Sequence, residues 1–296
     1  MGKTRSKRVS LLLVSIFMIT MLAVGCSSSV TKEDATENVV TPTTEAAVTE
    51  AASETEEIKS PAEETTILIA AASSLEYSLT EELIPMFEEL NPGIIVEGTY
   101  DSSGKLQTQI EEGIEADIAF FAASKQMDTL NEEGLVKAET IVSLLKNKIV
   151  LIVPSDSDLG LTAFEQVEKA DKIAIGDPDS VPAGQYAKEA LTTLGLWEEV
   201  SAKASLGANV TEVLNWVAEG SADAGIVYAT DAATNTEGIK VIAEAPEGSL
   251  AKDVVYPVAV LTNSSKQEAA QKFVDFLASE EAVAVFESYG FTNNIE

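Results

Sequence analysis

The sequence of 296 residues contains no histidine and one cysteine, Cys26. Without histidine, Ser-His and Cys-His nucleophilic mechanisms are excluded, and so are the usual zinc and iron sites. A lone cysteine leaves no disulfide framework. Basic residues are scarce, with 19 Lys+Arg against 49 Asp+Glu and a formal net charge of −30. A chain of that charge offers no electrostatic footprint for nucleic acid, so no nucleic-acid partner is expected. What stays open is carboxylate chemistry or the capture of a ligand by neutral donors, and no cofactor is expected.

The few cations are unevenly placed. Lys3, Arg5, Lys7 and Arg8 precede an apolar run from Val9 to Gly25. Basic residues, a short apolar stretch and a small-residue boundary are the marks of a secretory signal peptide, here residues 1–25. At about 17 residues the run also sits at the bottom of the transmembrane range, so a retained anchor helix is the competing reading. Cys26 argues against it, because Leu22-Ala23-Val24-Gly25-Cys26 resembles a lipobox, in which the cysteine is acylated and becomes the new N-terminus. Acyl chains contribute about 0.8 kcal/mol per buried CH₂, and several together hold a soluble domain at a membrane. Removing the signal segment leaves 15 Lys+Arg against 49 Asp+Glu, a net charge of −34.

Residues from Ser27 to Glu64 contain no aromatic residue and no leucine. Such a segment buries too little apolar surface to offset its ordering entropy and reads as an acidic, disordered linker. From Thr66 the pattern changes. Strands are expected at Ile67–Ala71, Ile94–Val96, Asp117–Phe121, Lys148–Val153, Lys172–Ile175, Ala224–Tyr228 and Tyr256–Leu261, with helical spacing between them. Leu79, Leu83, Phe87 and Leu90 share a helix face that Pro85 should kink. Alternating strands and helices imply an α/β fold with mainly parallel sheets flanked by helices. About 230 ordered residues fit two lobes: 66–147 with the returning segment 246–296, and 148–245 between them.

In open α/β sheets ligands sit beyond the carboxyl ends of strands, where loops enter helix N-termini. Four such loops are rich in small donors. They are Ala71–Leu75 with Ser73 and Ser74, Tyr100–Leu106 with Ser102 and Ser103, Gly176–Tyr186 with Ala183, and Asn209-Val210. Helix N-termini combine unpaired N–H groups with the positive end of the dipole, which suits an anion. Singly, each loop also reads as an ordinary N-cap or turn. Lys105 is the one cation among them and reads as solvated, and Tyr228 at a strand end reads as core or rim. The paired acids Glu81-Glu82, Glu88-Glu89 and Glu111-Glu112 read as solvated helix faces rather than catalytic pairs.

Taken together, the motifs resemble those of molybdate-binding proteins that serve ABC importers. The resemblance spans nearly all of Thr66 to Asn294. It is carried by Ala70-Ala71-Ala72-Ser73-Ser74-Leu75, Ser102-Ser103-Gly104-Lys105-Leu106, Gly176-Asp177-Pro178 with Val181-Pro182-Ala183-Gly184 and Tyr186–Leu191, Gly225-Ile226-Val227-Tyr228, and Tyr256-Pro257-Val258-Ala259-Val260. It implies a two-lobed type II periplasmic-binding-protein fold closing on its ligand, and no enzymatic activity. By motif, an oxyanion is held by one serine of each pair, by the N–H groups of Ala183 and Val210, and by the Tyr228 hydroxyl. Counting back from Leu75 favours Ser74 over Ser73, and Ser103 is favoured with Ser102 alongside. The implied ligands are molybdate and tungstate, with molybdenum present only inside the oxyanion and no direct metal ligands. The implied partners are an importer permease and its ATPase subunit. The implied location is the extracytoplasmic face of the cell membrane, through the lipid on Cys26. Sulfate remains an alternative ligand. A ferric-ion binder of the same fold is a weaker one, since it needs several tyrosines and only Tyr228 is well placed.

Overall fold

The computed structural model describes residues 64–295. The signal segment, Cys26 and the linker before Glu64 lie outside the described residues. Four strands come first: β1 (Thr65–Ala72), β2 (Ile94–Asp101), β3 (Ile118–Phe120) and β4 (Val142–Asn147). Five follow: β5 (Ile149–Pro154), β6 (Ile173–Gly176), β7 (Ala204–Gly207), β8 (Ala224–Tyr228) and β9 (Ile239–Glu244). The chain then returns in β10 (Val254–Val260) and β11 (Thr292–Asn293). One sheet has the order β11-β4-β10-β3-β1-β2 and the other β7-β6-β8-β5-β9, so the chain passes between sheets at Asn147–Lys148 and again between β9 and β10.

Both sheets are mixed, not mainly parallel as the alternation of elements suggested. β1 pairs in parallel with β2 and β3, and β6 with β7 and β8. β10 runs antiparallel to β3 and β4, and β5 antiparallel to β8 and β9. The cause is the pair of crossings: a strand arriving from the other sheet does not follow the one-way βαβ path that keeps neighbours parallel. Where parallel pairing holds, it aligns strand ends. Ala72 lies opposite Asp101 and Ala71 opposite Phe120, which brings the loops after β1, β2 and β3 to one edge. Gly176 opposite Gly207 does the same for β6 and β7.

The helices are α1 (Glu76–Ser78), α2 (Ile84–Leu90), α3 (Ser103–Glu111), α4 (Ser124–Glu132), α5 (Pro182–Thr193), α6 (Trp197–Ser201), α7 (Val210–Ala218), α8 (Ala229–Ala233), α9 (Gln267–Leu277) and α10 (Glu280–Ser288). At Pro85 the expected kink takes the form of a π turn over Leu79–Leu83. Proline cannot donate to the carbonyl one turn back, and the widened turn precedes it. Leu79, Leu83 and Phe87 are fully buried, whereas Leu90 is 68% exposed, being the last helical residue with only the 91–93 turn beyond it. Gly184 lies in the first turn of α5, where a Cβ would run into the Gly176 carbonyl. Only glycine lets the helix start press against the end of β6.

The C-terminal helices close the first sheet. Phe273 of α9 packs on Phe87 of α2 with ring centroids 4.7 Å apart, and Phe276 lies 5.5 Å from the same ring. Aromatic pairs in this range add to the burial they already provide. Phe273 is fully buried. Phe273→Ala is therefore expected to cost about 3–5 kcal/mol of unfolding free energy, measured by urea denaturation.

Candidate functional site

The aligned strand ends of the two sheets face each other across a small cavity of ≈ 10 Å³. That is room for about one water-sized particle. From the first sheet come Ala72, Ser73 and Ser74 after β1, Asp101, Ser102 and Ser103 after β2, and Ala122 after β3. From the second come Val181, Pro182 and Ala183 at the start of α5, Val210 at the start of α7, and Tyr228 at the end of β8. All seven residues singled out in the sequence, from Ser73 to Tyr228, thus line one space. Ala72, Asp101, Ala122, Val181 and Pro182 also line it without having been singled out. Each lies within two positions of a nominated residue or, for Ala122, just past β3, whose strand was recognised.

The lining is rich in unspent donors. Ser103 opens α3, Val210 opens α7 and Ala183 is the second residue of α5, positions whose N–H groups have no intrahelical acceptor. Among the described residues no backbone carbonyl accepts from the N–H of Ala183 or Val210. Asn209 caps α7, its side-chain oxygen accepting from the Glu212 N–H at 2.9 Å, while the Glu212 carboxylate accepts from the Ala208 N–H at 2.6 Å. The pattern resembles a capping box shifted by one residue, since Glu212 reaches Ala208 rather than the cap Asn209, and it leaves the Val210 N–H free. The buried Ser103 Oγ accepts from the Ala122 N–H at 3.0 Å, so its proton is available to another acceptor. The Ser102 Oγ is buried with no partner in the protein. The Ser74 Oγ lies 2.9 Å from the Tyr256 hydroxyl.

Tyr228 donates to the Ala122 carbonyl at 3.3 Å, a long bond that reaches from one sheet layer to the other. Burial, reinforced by neighbouring Tyr256, Tyr186 and Asp231, pushes its phenol well above the ordinary range, so it stays a hydroxyl. Two more hydrogen bonds cross the same gap: Gly104 N–H to the Ser180 carbonyl at 2.9 Å, and Gln126 Nε2 to Gln185 Oε1 at 3.2 Å. A Cβ at Gly104 would meet the Ser180 backbone, so the approach of the two layers depends on that glycine.

One carboxylate borders the cavity. The Asp101 Oδ1 accepts from the Ser102 N–H at 2.7 Å and pairs with Lys105 Nζ at 3.2 Å. Lys105 is thus ion-paired, where solvation alone was expected, and it offsets the negative charge next to the site. Among the described residues no group of three or more His, Cys, Asp or Glu could hold a metal ion. The site presents N–H groups at helix starts and the hydroxyls of Ser102 and Ser103, whose protons have no acceptor inside the protein. It holds no nucleophile–base pair. Chemically, its donors suit a small anion that carries no proton, and an anion larger than a water requires the two layers to part.

Residues 67–292 match the family described as bacterial extracellular solute-binding protein. YvgL of Bacillus subtilis (strain 168), assigned as an ABC transporter substrate-binding lipoprotein, is 39% identical over 227 residues, 77% of this chain and 86% of YvgL. The molybdate-binding protein ModA of Haemophilus influenzae is 36% identical over 231 residues, 76% of this chain and 89% of ModA. Among solved structures, the substrate-binding domain of a Clostridium difficile ABC transporter assigned to molybdenum superposes with a TM-score of 0.61 at 36% identity. That match covers 78% of this chain and 100% of the other. The two-lobed fold expected from the sequence is borne out by these relations.

Behind Tyr228 lies Asp231, buried, with an Oδ2 that has no partner. Burial pushes its carboxyl up to about 8 from an ordinary 3.8. The folded state therefore holds this proton more tightly than the unfolded chain, and stability falls as pH rises between the two values. Compared with Asp231→Asn, the native protein is expected to lose about 2–4 kcal/mol between about pH 5 and pH 8. Urea denaturation of both proteins across that range measures it; parallel curves would show that Asp231 is ionised when buried.

Proposed function

The chain belongs to the bacterial extracellular solute-binding protein family, and we propose that the solute it captures is molybdate, with tungstate as an equivalent second ligand. The observation that supports this most is the donor set: Ser103 Oγ accepts from the protein and keeps its proton for a ligand, and the Ala183 and Val210 N–H groups are unspent. Molybdate is a tetrahedral dianion with no proton at neutral pH, so a shell of donors satisfies it. Charge-assisted bonds of this kind contribute about 1.5–3 kcal/mol each. Hydrogen phosphate would bring a proton that must be accepted by a hydroxyl oxygen such as the Ser102 Oγ, turning a donor away from the anion at about 1–3 kcal/mol. Asp101, the one carboxylate at hand, is already engaged by Ser102 and Lys105.

In this reading the ligand contacts are Ser74 and Ser103, with Ser73 and Ser102 beside them, the N–H groups of Ala183 and Val210, and the Tyr228 hydroxyl. The residues 66–147 and 246–296 form one lobe and 148–245 the other. Sulfate, also proton-free and tetrahedral, shares the donor chemistry and is the second reading. A ferric-ion site finds no support, as Tyr228 is the one tyrosine lining the cavity. The loaded protein delivers its ligand to an importer permease and its ATPase subunit, held at the outer face of the membrane by lipid on Cys26. Among the described residues no helix is long and apolar enough to cross a membrane.

Calorimetry of the purified protein with molybdate, tungstate, sulfate, phosphate and ferric ion is expected to show tight binding of the first two. Ser74→Ala and Ser103→Ala should each weaken it by about tenfold or more while the ligand-free melting temperature holds. No heat with either molybdate or tungstate rejects the ligand. Separately, Cys26→Ser is expected to release the protein from the membrane fraction into the soluble one; retention in the membrane would rule out the lipid as anchor.

A further inference from the structure

A chain of buried hydrogen bonds approaches the cavity from behind Ser74. It starts at Asn147, the last residue of β4, where the chain leaves the first sheet. The Lys148 N–H donates to Asn147 Oδ1 at 2.8 Å, which commits the oxygen end of the amide. The nitrogen end therefore faces the Tyr256 hydroxyl at 3.1 Å and Thr230 Oγ1 at 2.9 Å. An amide nitrogen only donates, so the Tyr256 oxygen must accept from it. Tyr256 keeps one proton to place, and its other hydrogen-bond partner is the Ser74 Oγ at 2.9 Å.

The direction of each bond follows from the one before. Tyr256 donates to Ser74, which fills an acceptor position on Ser74 and leaves the serine's own proton to point elsewhere. The space it borders is the cavity. Tyr256 is fully buried, with its ring 5.2 Å from Phe291 and 5.6 Å from Tyr228. That packing fixes where its hydroxyl sits. Burial also holds its phenol well above the ordinary range, so the proton is retained.

We infer that Asn147 and Tyr256 are positioning residues: together they fix the Ser74 hydroxyl as a donor toward the cavity and so help select oxyanions that carry no proton. The inference rests on the oxyanion reading above. Ser103 reaches the same polarity by a different route, accepting from the Ala122 N–H. Two serines on separate loops are thus turned the same way by donors that never touch the ligand. The relay also spans the fold. Asn147 and Tyr256 lie on β4 and β10, the strands on either side of the excursion into the second sheet, and Thr230 belongs to α8 beyond the first crossing. Ser74 is therefore oriented from the region where the two layers join.

Asn147→Asp tests the direction of the relay. The carboxylate is nearly isosteric and still accepts from Lys148, but it cannot donate. Tyr256 then donates to it, Ser74 donates to Tyr256, and Ser74 turns lone pairs toward the cavity. Above about pH 9 the new carboxyl is ionised, clear of the value near 8 to which burial lifts Asp231, and molybdate and hydrogen phosphate are both dianions, so the added charge repels them alike and cancels in their affinity ratio. The molybdate-to-phosphate ratio from competition calorimetry on the full chain is expected to fall by about tenfold or more. Tyr256→Phe introduces no charge and should weaken molybdate by about three- to tenfold, with the melting temperature of each ligand-free variant reporting folding. An unchanged ratio in folded Asn147→Asp overturns the relay, as does an unchanged molybdate affinity in Tyr256→Phe. If the unaltered chain binds no molybdate, tungstate or sulfate, the oxyanion reading fails and the relay with it; binding by the unaltered chain separates the two.

Discussion

Everything at the site depends on peptide N–H groups that have no place to go. The first turn of a helix cannot satisfy its own donors, and here α3, α5 and α7 all begin at one cavity. Parallel pairing of β1 with β2 and of β6 with β7 brings their ends level, so the loops that follow open side by side. Gly184 lets α5 start hard against β6, and Gly104 lets the two layers meet at Ser180. The hydroxyl of Ser103 then adds a donor between the helix starts, while Tyr228 ties the layers together through the Ala122 carbonyl.

The proposed capture of an anion by so acidic a chain looks contradictory until distances are considered. Residues from Cys26 onward carry a net charge of −34, and exposed charges are screened within about 8 Å. At the cavity the local charges are Asp101 and Lys105, paired at 3.2 Å, and the other donors are neutral. Neutral dipoles in a closed space are strong because little water competes with them. The surrounding acidity acts on encounter, slowing an anion's approach, more than on the bound state. It also keeps the protein from associating with other polyanions.

Much of the fold was legible along the chain. Apolar runs such as Lys148–Val153 and Ala224–Tyr228 mark buried strands, and Leu79, Leu83 and Phe87 mark a helix face. β4 was missed because Val142-Ser-Leu-Leu-Lys-Asn abuts β5 with no breaker between them, and only the more apolar run from Lys148 was read as a strand. β7 and β9 are short and partly exposed, with Leu206 and Val241 facing outward, and edge strands of that kind lack an alternating signal. α4 carries only Met127 and Leu130 as buried apolar residues, too few to set a helical period. Mixed pairing was invisible because strand direction is decided by long-range partners, which local pattern does not encode.

By itself the sequence determined what this protein cannot do and which loops could hold a ligand. The absence of histidine, the single cysteine and the run from Ser73 to Tyr228 are local facts, and local chemistry suffices to read them. Only the tertiary structure decided that four loops separated by up to about 140 residues share one cavity, that Asp101 is paired with Lys105, and that Tyr256 stands behind Ser74. The reason is physical. Propensity and periodicity act over a few residues, whereas the direction of a buried hydrogen bond depends on every donor and acceptor that packing brings within reach.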